Sequence, residues 1–344
     1  MKDSRPTSLD IAYRAGVSQS TVSRALRDSP LVSLETREKI KAIARELNYK
    51  VDKAASNLRA KSSRTLALLI REDPTTDESH INPFFLSMLG SITRATAAKG
   101  YDLLVSFQQQ SEDWHRDFED SHRADGLILL GYGAYDSYVE RLRHLLDAGA
   151  HFICWGAVHS DQPGCSIGCD NEEGGYLAGR HLVDAGRTRI AFLGDTSDNS
   201  PEFSARYRGF CRALEEAGIT HSPELLVAAE TIETLGYEAV QNLLARGVEF
   251  DAVFAASDLI AIGALRALQK AGKRVGQDVA VVGFDDIQSA AYITPSLTTI
   301  RQDTNLAGTM LVDNLLRIVA GEPVESTLMP PKLIVRESCG AGGE

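Results

Sequence analysis

Five polar residues lie close together near the amino terminus, and none of them is acidic. They are Gln19, Ser20, Thr21, Ser23 and Arg24. Side chains of these types form hydrogen bonds with base edges in the major groove of DNA and with backbone phosphates. They would equally suit the exposed face of a small helical bundle. From these residue types alone, both interpretations stand.

Three helices are predicted around this polar stretch. Residues 7–10 supply capping side chains ahead of an apolar face at helical spacing. Gly16 permits a left-handed turn and Ser18 can cap a second helix over residues 19–26. Ser33 can cap a third helix that runs to Leu47. Two short helices joined by a glycine turn and supported by a third indicate a helix-turn-helix module.

The net charge of the whole chain is −11, which taken alone argues against a nucleic-acid partner. The charge is unevenly distributed, however. Residues 1–64 contain 14 Lys and Arg against 7 Asp and Glu, a net charge of +7. The remaining residues contain 22 against 40, a net charge of −18. This division predicts a basic head joined to an acidic body.

The head contains one long stretch that matches a known pattern: Leu9-Asp10-Ile11-Ala12-Tyr13-Arg14-Ala15-Gly16-Val17-Ser18-Gln19-Ser20-Thr21-Val22-Ser23-Arg24-Ala25-Leu26. It closely resembles the DNA-binding head of the lactose-repressor (LacI/GalR) family. Val32-Ser33, Glu35-Thr36-Arg37 and Leu47-Asn48-Tyr49 continue the resemblance. The Ala-Gly-Val-Ser turn and the Thr-Val-Ser-Arg run make the match specific, because they occur together at the right spacing.

This resemblance implies that double-stranded operator DNA is the partner. The residues at base-reading positions are Gln19, Ser20 and Arg24. The residues where the family contacts phosphates are Thr7, Ser18, Thr21 and Ser23. Arg24 suits guanine and Gln19 suits adenine by the geometry of their donors and acceptors.

Residues 49–63 connect the head to the body. The family usually has a Pro-Asn pair here, then Ala-Arg and a leucine, in a hinge helix that folds on operator DNA. Leu58 occupies the position of the leucine that wedges into the minor groove and kinks the DNA. Val51 and Asp52 replace the Pro-Asn pair, and Ser56 replaces the usual arginine. A plain flexible linker is therefore the alternative.

The body alternates short apolar runs with helical patterns. Runs such as residues 127–130 lack polar alternation, which is typical of strands buried on both faces. Repeated βα units predict an α/β architecture of parallel sheets with helices on both faces. Strands are predicted at 66–70, 102–107, 126–130, 151–155, 189–193, 252–255 and 279–284, and helices around 84–99, 136–148, 173–186, 203–218, 234–246 and 258–272.

The body also resembles the same family over residues 64–337. Its landmarks are Asn82-Pro83-Phe84-Phe85, Asp125-Gly126-Leu127-Ile128, Asp170-Asn171-Glu172-Glu173-Gly174, Arg206-x-x-Gly209-Phe210, Ser257-Asp258-x-x-Ala261-x-Gly263, Val282-Gly283-Phe284-Asp285 and Pro295-Ser296-Leu297-Thr298-Thr299-Ile300. The resemblance implies the two-lobed fold of periplasmic sugar-binding proteins, with three chain crossings and the third near residues 322–325.

These observations predict four segments along the chain. They are the head at 1–48, the hinge at 49–63, an effector-binding and dimerisation core at 64–337 and a flexible tail at 338–344. Within the core, lobe 1 is predicted at about 64–163 and 296–323, and lobe 2 at about 164–293 and 325–337.

By the same resemblance, Arg206 and Asp285 contact a small effector in the cleft between the lobes. A guanidinium and a carboxylate can each take two hydroxyls of a sugar ring. Phe84 and Trp155 lie at the cleft mouth, where an aromatic face suits the apolar side of a pyranose. Ser257 replaces an asparagine seen in some relatives. The alternatives are a structural Arg–Asp salt bridge and aromatic rings that belong to the core.

No motif in the sequence requires catalysis, so a non-enzyme is expected. Phosphate-binding loops, nucleophile elbows and His-Glu-x-x-His sites are absent, and the eight histidines and five cysteines are scattered. We therefore expect no cofactor and no metal. No apolar run approaches the roughly 18 residues of a membrane helix, and the first residues lack the apolar stretch typical of a secretory signal peptide. A cytoplasmic location follows as an expectation.

The sequence thus predicts a homodimeric, sequence-specific transcriptional regulator, a repressor that reads a pseudo-palindromic operator. A small effector, a mono- or oligosaccharide, would control its affinity for DNA, as inducer or as corepressor. A purine or nucleoside is the alternative effector. An α/β enzyme with a DNA-binding head and a pure binding protein are the alternative functions.

Overall fold

The chain divides into two compact units, Met1–Ser63 and Arg64–Glu344, and each is described by itself. The computed structural model describes residues 6–49, 62–73, 79, 81–159 and 161–340. The boundary between the units coincides with the predicted start of the body. The hinge residues named above, Val51, Asp52, Ser56 and Leu58, lie outside the described residues.

The first unit contains the three predicted helices, α1 Ser8–Ala15, α2 Gln19–Leu26 and α3 Leu34–Glu46. The Thr7 N–H and hydroxyl both donate to the Asp10 carboxylate at 2.7 Å, which secures the start of α1. Ser18 and Ser33 each accept a backbone N–H at the starts of α2 and α3, as predicted. The helices bury a shared apolar core of Ile11, Ala12, Ala15, Val22, Ala25, Val32, Ile40 and Ala44.

The second unit is built on two six-stranded sheets within the described residues. The first consists of β1 Thr65–Ile70, β2 Asp102–Phe107, β3 Leu127–Leu130, β4 Phe152–Trp155, β5 Cys165–Cys169 and β11 Thr327–Met329, in the order β11-β5-β4-β3-β1-β2. The second consists of β6 Ile190–Leu193, β7 Leu226–Val227, β8 Ala252–Ala255, β9 Ala280–Asp285, β10 Thr298–Arg301 and β12 Lys332–Ile334, in the order β12-β10-β9-β8-β6-β7. Neighbouring strands are parallel, except that β12 runs antiparallel to β10.

Helices cover the faces of both sheets, which explains why the central strands are apolar without alternation. The helices on the first sheet are α4 Pro83–Ala98, α5 Tyr135–Asp147 and α10 Thr304–Val319. Those on the second are α6 Asn171–Asp184, α7 Pro201–Glu216, α8 Glu233–Ala245 and α9 Asp258–Lys270. The predicted α/β architecture with two lobes is confirmed.

The chain passes between the two lobes three times. It crosses at residue 170 between β5 and α6, at residues 302–303 between β10 and α10, and at residues 330–331 between β11 and β12. The third crossing was predicted near residues 322–325, and that position is wrong. After α10 the chain first adds β11 to the first sheet and only then crosses.

The predicted lobe limits are also wrong at three strands. The strands β5 and β11 belong to the first sheet although both were assigned to lobe 2, and β10 belongs to the second sheet although it was assigned to lobe 1. The physical reason is that β5 pairs with β4 and with β11, which lies more than 150 residues further on. Such pairing leaves no mark in the local apolar pattern.

The predicted flexible tail begins too early. Ser338 and Cys339 are buried, and the Ser338 hydroxyl donates to the Val281 carbonyl at 2.6 Å. Residues 338–340 are therefore part of the second lobe, while residues 341–344 lie outside the described residues.

Three further features bear on the kind of protein this is. None of the helices described is both long and apolar enough to span a membrane. Over the same residues, no group of three or more His, Cys, Asp or Glu side chains is arranged to hold a metal ion. All five cysteines fall in the described ranges, and no disulfide joins them.

Candidate functional site

The carboxyl ends of strands from both sheets line a cavity of about 500 Å³ between the lobes. A volume of this size suits a small molecule, and the carboxyl edge of parallel strands is where such folds bind ligands. The five residues predicted to contact an effector all line the cavity: Phe84, Trp155, Arg206, Ser257 and Asp285. The structure therefore brings together residues that are up to 201 positions apart in the chain.

Arg206 lies on α7 and is 5% exposed. Its Nε donates to Asn171 Oδ1 at 2.8 Å, and its Nη1 donates to the Ala256 carbonyl. The guanidinium stacks over the Phe284 ring, 3.6 Å from the ring centroid. These contacts fix the plane of the guanidinium before any ligand arrives.

Two glycines allow α7 to pack closely against α6. A Cβ on Gly175 would lie 1.9 Å from the Arg206 carbonyl oxygen, and a Cβ on Gly209 would lie 1.8 Å from that of Glu172. Backbone therefore meets backbone at this contact. The position of Arg206 in the cavity depends on these glycines.

Asp285 ends β9 in a backbone conformation that side chains rarely adopt, with φ of +118°, and Asp286 follows with φ of +55°. Gln302 Nε2 donates to Asp285 Oδ1 at 2.7 Å, while Arg206 Nη1 is 3.9 Å from the same oxygen. Burial raises the pKa of Asp285 to about 6, although the Arg206 guanidinium acts in the opposite direction. The Arg206–Asp285 ion pair, which was the structural alternative, is present, but 3.9 Å is a long separation for a salt bridge.

The turn that carries Asp285 is held by its neighbours. Asp286 accepts hydrogen bonds from Arg301 and Arg336, each at 2.6 Å. Asp258 accepts from the Ile287 N–H at 2.8 Å. Burial, and then the nearby Asp285 carboxylate, raise the pKa of Asp258 well above its ordinary value. Ionic and backbone contacts thus keep the two strained residues in place.

Ser257 is almost fully buried at the edge of the cavity and is the N-cap of α9. Its hydroxyl oxygen accepts from the Ile260 N–H at 3.4 Å. The hydroxyl hydrogen remains available to a ligand, so a contact with the effector stays a prediction.

Phe84 and Trp155 pack against each other on the first-lobe side of the cavity. Their ring centroids are 5.9 Å apart and their planes are tilted by 41°. Each residue is only 5% exposed. Both rings therefore belong to the core as well as to the cavity wall, and they offer an edge and part of a face to a ligand.

Four carboxylates that the sequence reasoning missed also line the cavity: Asp73, Asp195, Glu202 and Glu230. Glu202, on α7, accepts a hydrogen bond from the Tyr132 hydroxyl, so this contact joins the two lobes directly. Burial raises the pKa of Asp73, with Arg71 opposing the shift. The sequence could have indicated Asp73 and Asp195 as cavity residues. Each lies two or three residues after the end of a predicted strand, which is where such folds bind ligands.

The head presents its polar stretch on α2. Gln19, Ser20 and Arg24 are exposed, while Thr21 and Ser23 are partly exposed. The first turn of α2 has no acidic residue, so the positive end of its helix dipole is free to attract phosphate. The Ser23 hydroxyl accepts from Arg27 Nη2 at 2.8 Å. Among the predicted DNA contacts, only Leu58 lies outside the described residues.

A helix-turn-helix unit in the same chain as a two-lobed body around a polar cavity defines the class of DNA-binding transcription regulators with a ligand-binding domain. Residues 7–52 match the model for bacterial regulatory proteins of the lacI family, and residues 180–339 match that for a periplasmic binding protein-like domain. The chain belongs to the LacI family and is a transcriptional repressor of that family.

Individual relatives support this assignment. The HTH-type transcriptional repressor PurR of Erwinia tasmaniensis is 32% identical over 340 residues, covering 97% of this chain and 96% of that protein. The lac repressor dimer bound to operator and the anti-inducer ONPF has a TM-score of 0.83 at 28% identity and covers 98% of this chain and 100% of that one. The transcriptional regulator CelR in complex with cellobiose has a TM-score of 0.71 at 30% identity. The match covers 97% of this chain and 100% of that one.

Proposed function

We propose that the effector of this repressor is a neutral, hydroxyl-rich molecule, a mono- or oligosaccharide. The observation that carries the proposal is the charge of the cavity wall. Five carboxylates line it, those of Asp73, Asp195, Glu202, Glu230 and Asp285. Carboxylates accept hydrogen bonds from sugar hydroxyls and repel anions.

Two cations line the cavity among the described residues, Arg71 and Arg206. Arg71 Nε pairs with Asp73 at 3.2 Å, and Arg206 is bound by Asn171 and the Ala256 carbonyl. Five carboxylates therefore face two guanidiniums among the described residues of the wall, and each guanidinium already lies within 4 Å of a carboxylate. We therefore expect the cavity to bind neutral sugars in preference to phosphorylated sugars and nucleotides.

A purine is the second candidate, because relatives named PurR match nearly the whole chain. A flat heterocycle is best held between parallel aromatic faces. The tilt of 41° between Phe84 and Trp155 does not provide such a slot, which favours the sugar.

On the DNA side, we propose that the chain acts as a homodimer in the cytoplasm, where its two heads bind a pseudo-palindromic operator. Gln19, Ser20 and Arg24 would contact bases. Thr7, Ser18, Thr21 and Ser23 would contact phosphates, and Leu58 would wedge into the minor groove. Two observations support this assignment. The polar side chains of α2 are exposed or partly exposed, and the first turn of α2 has no acidic residue to oppose the positive end of its helix dipole.

A thermal-shift screen of the full chain tests the effector class, since a ligand of the folded state raises the melting temperature by mass action. The panel contains ribose, cellobiose, lactose, glucose 6-phosphate, hypoxanthine and guanine. We expect a neutral sugar to raise the melting temperature and then to change operator affinity in a gel-shift titration. The sign of that change distinguishes an inducer from a corepressor. Stabilisation by a purine or by the sugar phosphate, with no response to neutral sugars, would overturn the proposal.

A further inference from the structure

Ser8 and Gln19 connect the first two helices of the head. Ser8 is the first residue of α1 and Gln19 is the first residue of α2. Gln19 Nε2 donates a hydrogen bond to Ser8 Oγ at 2.7 Å, which is a short and well-formed contact. Neither side chain caps its own helix, because Thr7 and Ser18 are the N-cap residues. Both groups are therefore available for the contact between helices.

We propose that Ser8 is a positioning residue that orients the Gln19 carboxamide for reading adenine in the operator. This inference rests on the proposed base-reading role of Gln19. It adds a residue of α1 to the determinants of operator specificity.

The donors and acceptors of the carboxamide support adenine. The group has two N–H donors and one oxygen acceptor. One N–H is taken by Ser8, and the described residues provide no other hydrogen bond to this amide. The second N–H and the oxygen remain for contacts with a base. Adenine presents the complementary pair in the major groove, with N7 as acceptor and N6–H as donor.

The surroundings of Gln19 leave this arrangement undisturbed. Ser18 Oγ lies 2.8 Å from the Ser20 hydroxyl and 2.9 Å from the Thr21 hydroxyl, so these neighbours bind one another. Gln19 is exposed, and without Ser8 its side chain would rotate freely in water. The hydrogen bond to Ser8 orders a flexible side chain before DNA binds, which lowers the entropic cost of the base contact.

Selection of binding sites from a random pool of double-stranded DNA tests the inference, because such a selection needs no defined operator sequence. The full chain is compared with Ser8→Ala, Ser8→Thr and Gln19→Ala, and the base preference at each position is measured by sequencing. Ser29→Ala serves as the matched control, because Ser29 is a head serine whose hydroxyl makes only a 3.4 Å contact with the Leu31 N–H. Alanine is a good helix former, so Ser8→Ala should keep α1 folded, and a thermal melt verifies this.

We expect the wild type to select adenine at one position of each half-site, and Gln19→Ala to lose that preference. Ser8→Ala should weaken the same preference by about threefold to tenfold and leave all other positions unchanged. Its salt dependence should equal that of the wild type, because no phosphate contact changes. Ser8→Thr retains the hydroxyl and should retain the preference.

Two results would overturn the inference while leaving the role of Gln19 intact. One is a Ser8→Ala profile identical to that of the wild type while Gln19→Ala loses one position. The other is an equal loss at every position, which would show that Ser8 only stabilises the head. If Gln19→Ala changes no position, the base-reading role itself fails, and the positioning role of Ser8 fails with it.

Discussion

Replacing Asp285 with asparagine should stabilise the protein while abolishing its response to the effector. Asp285 is 8% exposed, and burial raises its pKa from 3.8 to about 6. A raised pKa means that the ionised carboxylate is less favourable in the folded chain than in the unfolded chain. Asparagine removes this penalty and keeps an oxygen that can accept the hydrogen bond from Gln302.

The magnitude follows from the pKa. A difference between 3.8 and about 6 corresponds to about 3 kcal/mol of unfolding free energy at neutral pH. The folded chain binds a proton first as the pH falls, so the wild type gains this stability between about pH 6 and about pH 4. The asparagine variant has no such proton to bind at this position. Its advantage should therefore be largest at pH 7.5 and disappear near pH 4.

Thermal melts between pH 7.5 and pH 4.5 measure the effect. For a body of this size we expect Asp285→Asn to melt on the order of 5–10 °C higher at pH 7.5. The control is Asp278→Asn, because hydrogen bonds from Arg274 lower the pKa of that partly exposed carboxyl to about 2. Its difference from the wild type should not change over this pH range. A lower melting temperature for Asp285→Asn at pH 7.5 would refute the reasoning, since Asp285 would then act as a stabilising ion-pair partner.

Three further substitutions test the site and the head. Arg206→Ala should leave operator binding intact and abolish the effector response in a gel-shift titration; an unchanged response removes Arg206 from the site. Arg24→Ala should lower the preference for one base pair by about 1–3 kcal/mol in binding-site selection, whereas an equal loss on every sequence would indicate a phosphate contact. Gly175→Ala should destabilise the body by about 1–3 kcal/mol or more in denaturant unfolding, because its Cβ would lie 1.9 Å from the Arg206 carbonyl. The control is Gly90→Ala, at an exposed helical position where an added Cβ would have no neighbour within 4 Å outside its own helix backbone. It should stabilise the body by about 1 kcal/mol. Equal effects of the two alanines would contradict this account of the close contact.

Local sequence patterns predicted the three head helices, seven strands and six helices of the body, but missed the strands β5, β7, β10, β11 and β12 and the helix α10. The capping residues at Ser18 and Ser33 mark helix starts that the structure confirms. The apolar runs identify the central strands within one or two residues. The assignment of strands to lobes failed at β5, β10 and β11, because sheet membership depends on pairing between segments that are distant in the chain.

In the candidate site, too, contacts between distant segments were harder to predict than single residues. The family resemblance predicted that Arg206 and Asp285 share one cavity, and both residues line it. Glu202 and Tyr132 were not predicted, since their contact joins residues from different lobes that no local pattern connects. Asp286 was not among the predicted site residues. Its hydrogen bond with Arg336 depends on the last crossing of the chain, whereas Arg301 lies on β10, the strand next to β9.

The three crossings between the lobes have a consequence for synthesis on the ribosome. The first lobe begins with β1 at Thr65, but its sheet is completed only by β11 at Thr327–Met329, and α10 covers one of its faces. While the chain is being made, β5 therefore has an unpaired edge for more than 150 residues of elongation, and such an edge can pair with other chains. The sheet of the second lobe is likewise incomplete until β12 is made and pairs with β10. A chain released between residues 194 and 326 contains strands of both sheets but lacks β11 and β12, so neither sheet of such a truncated product is complete.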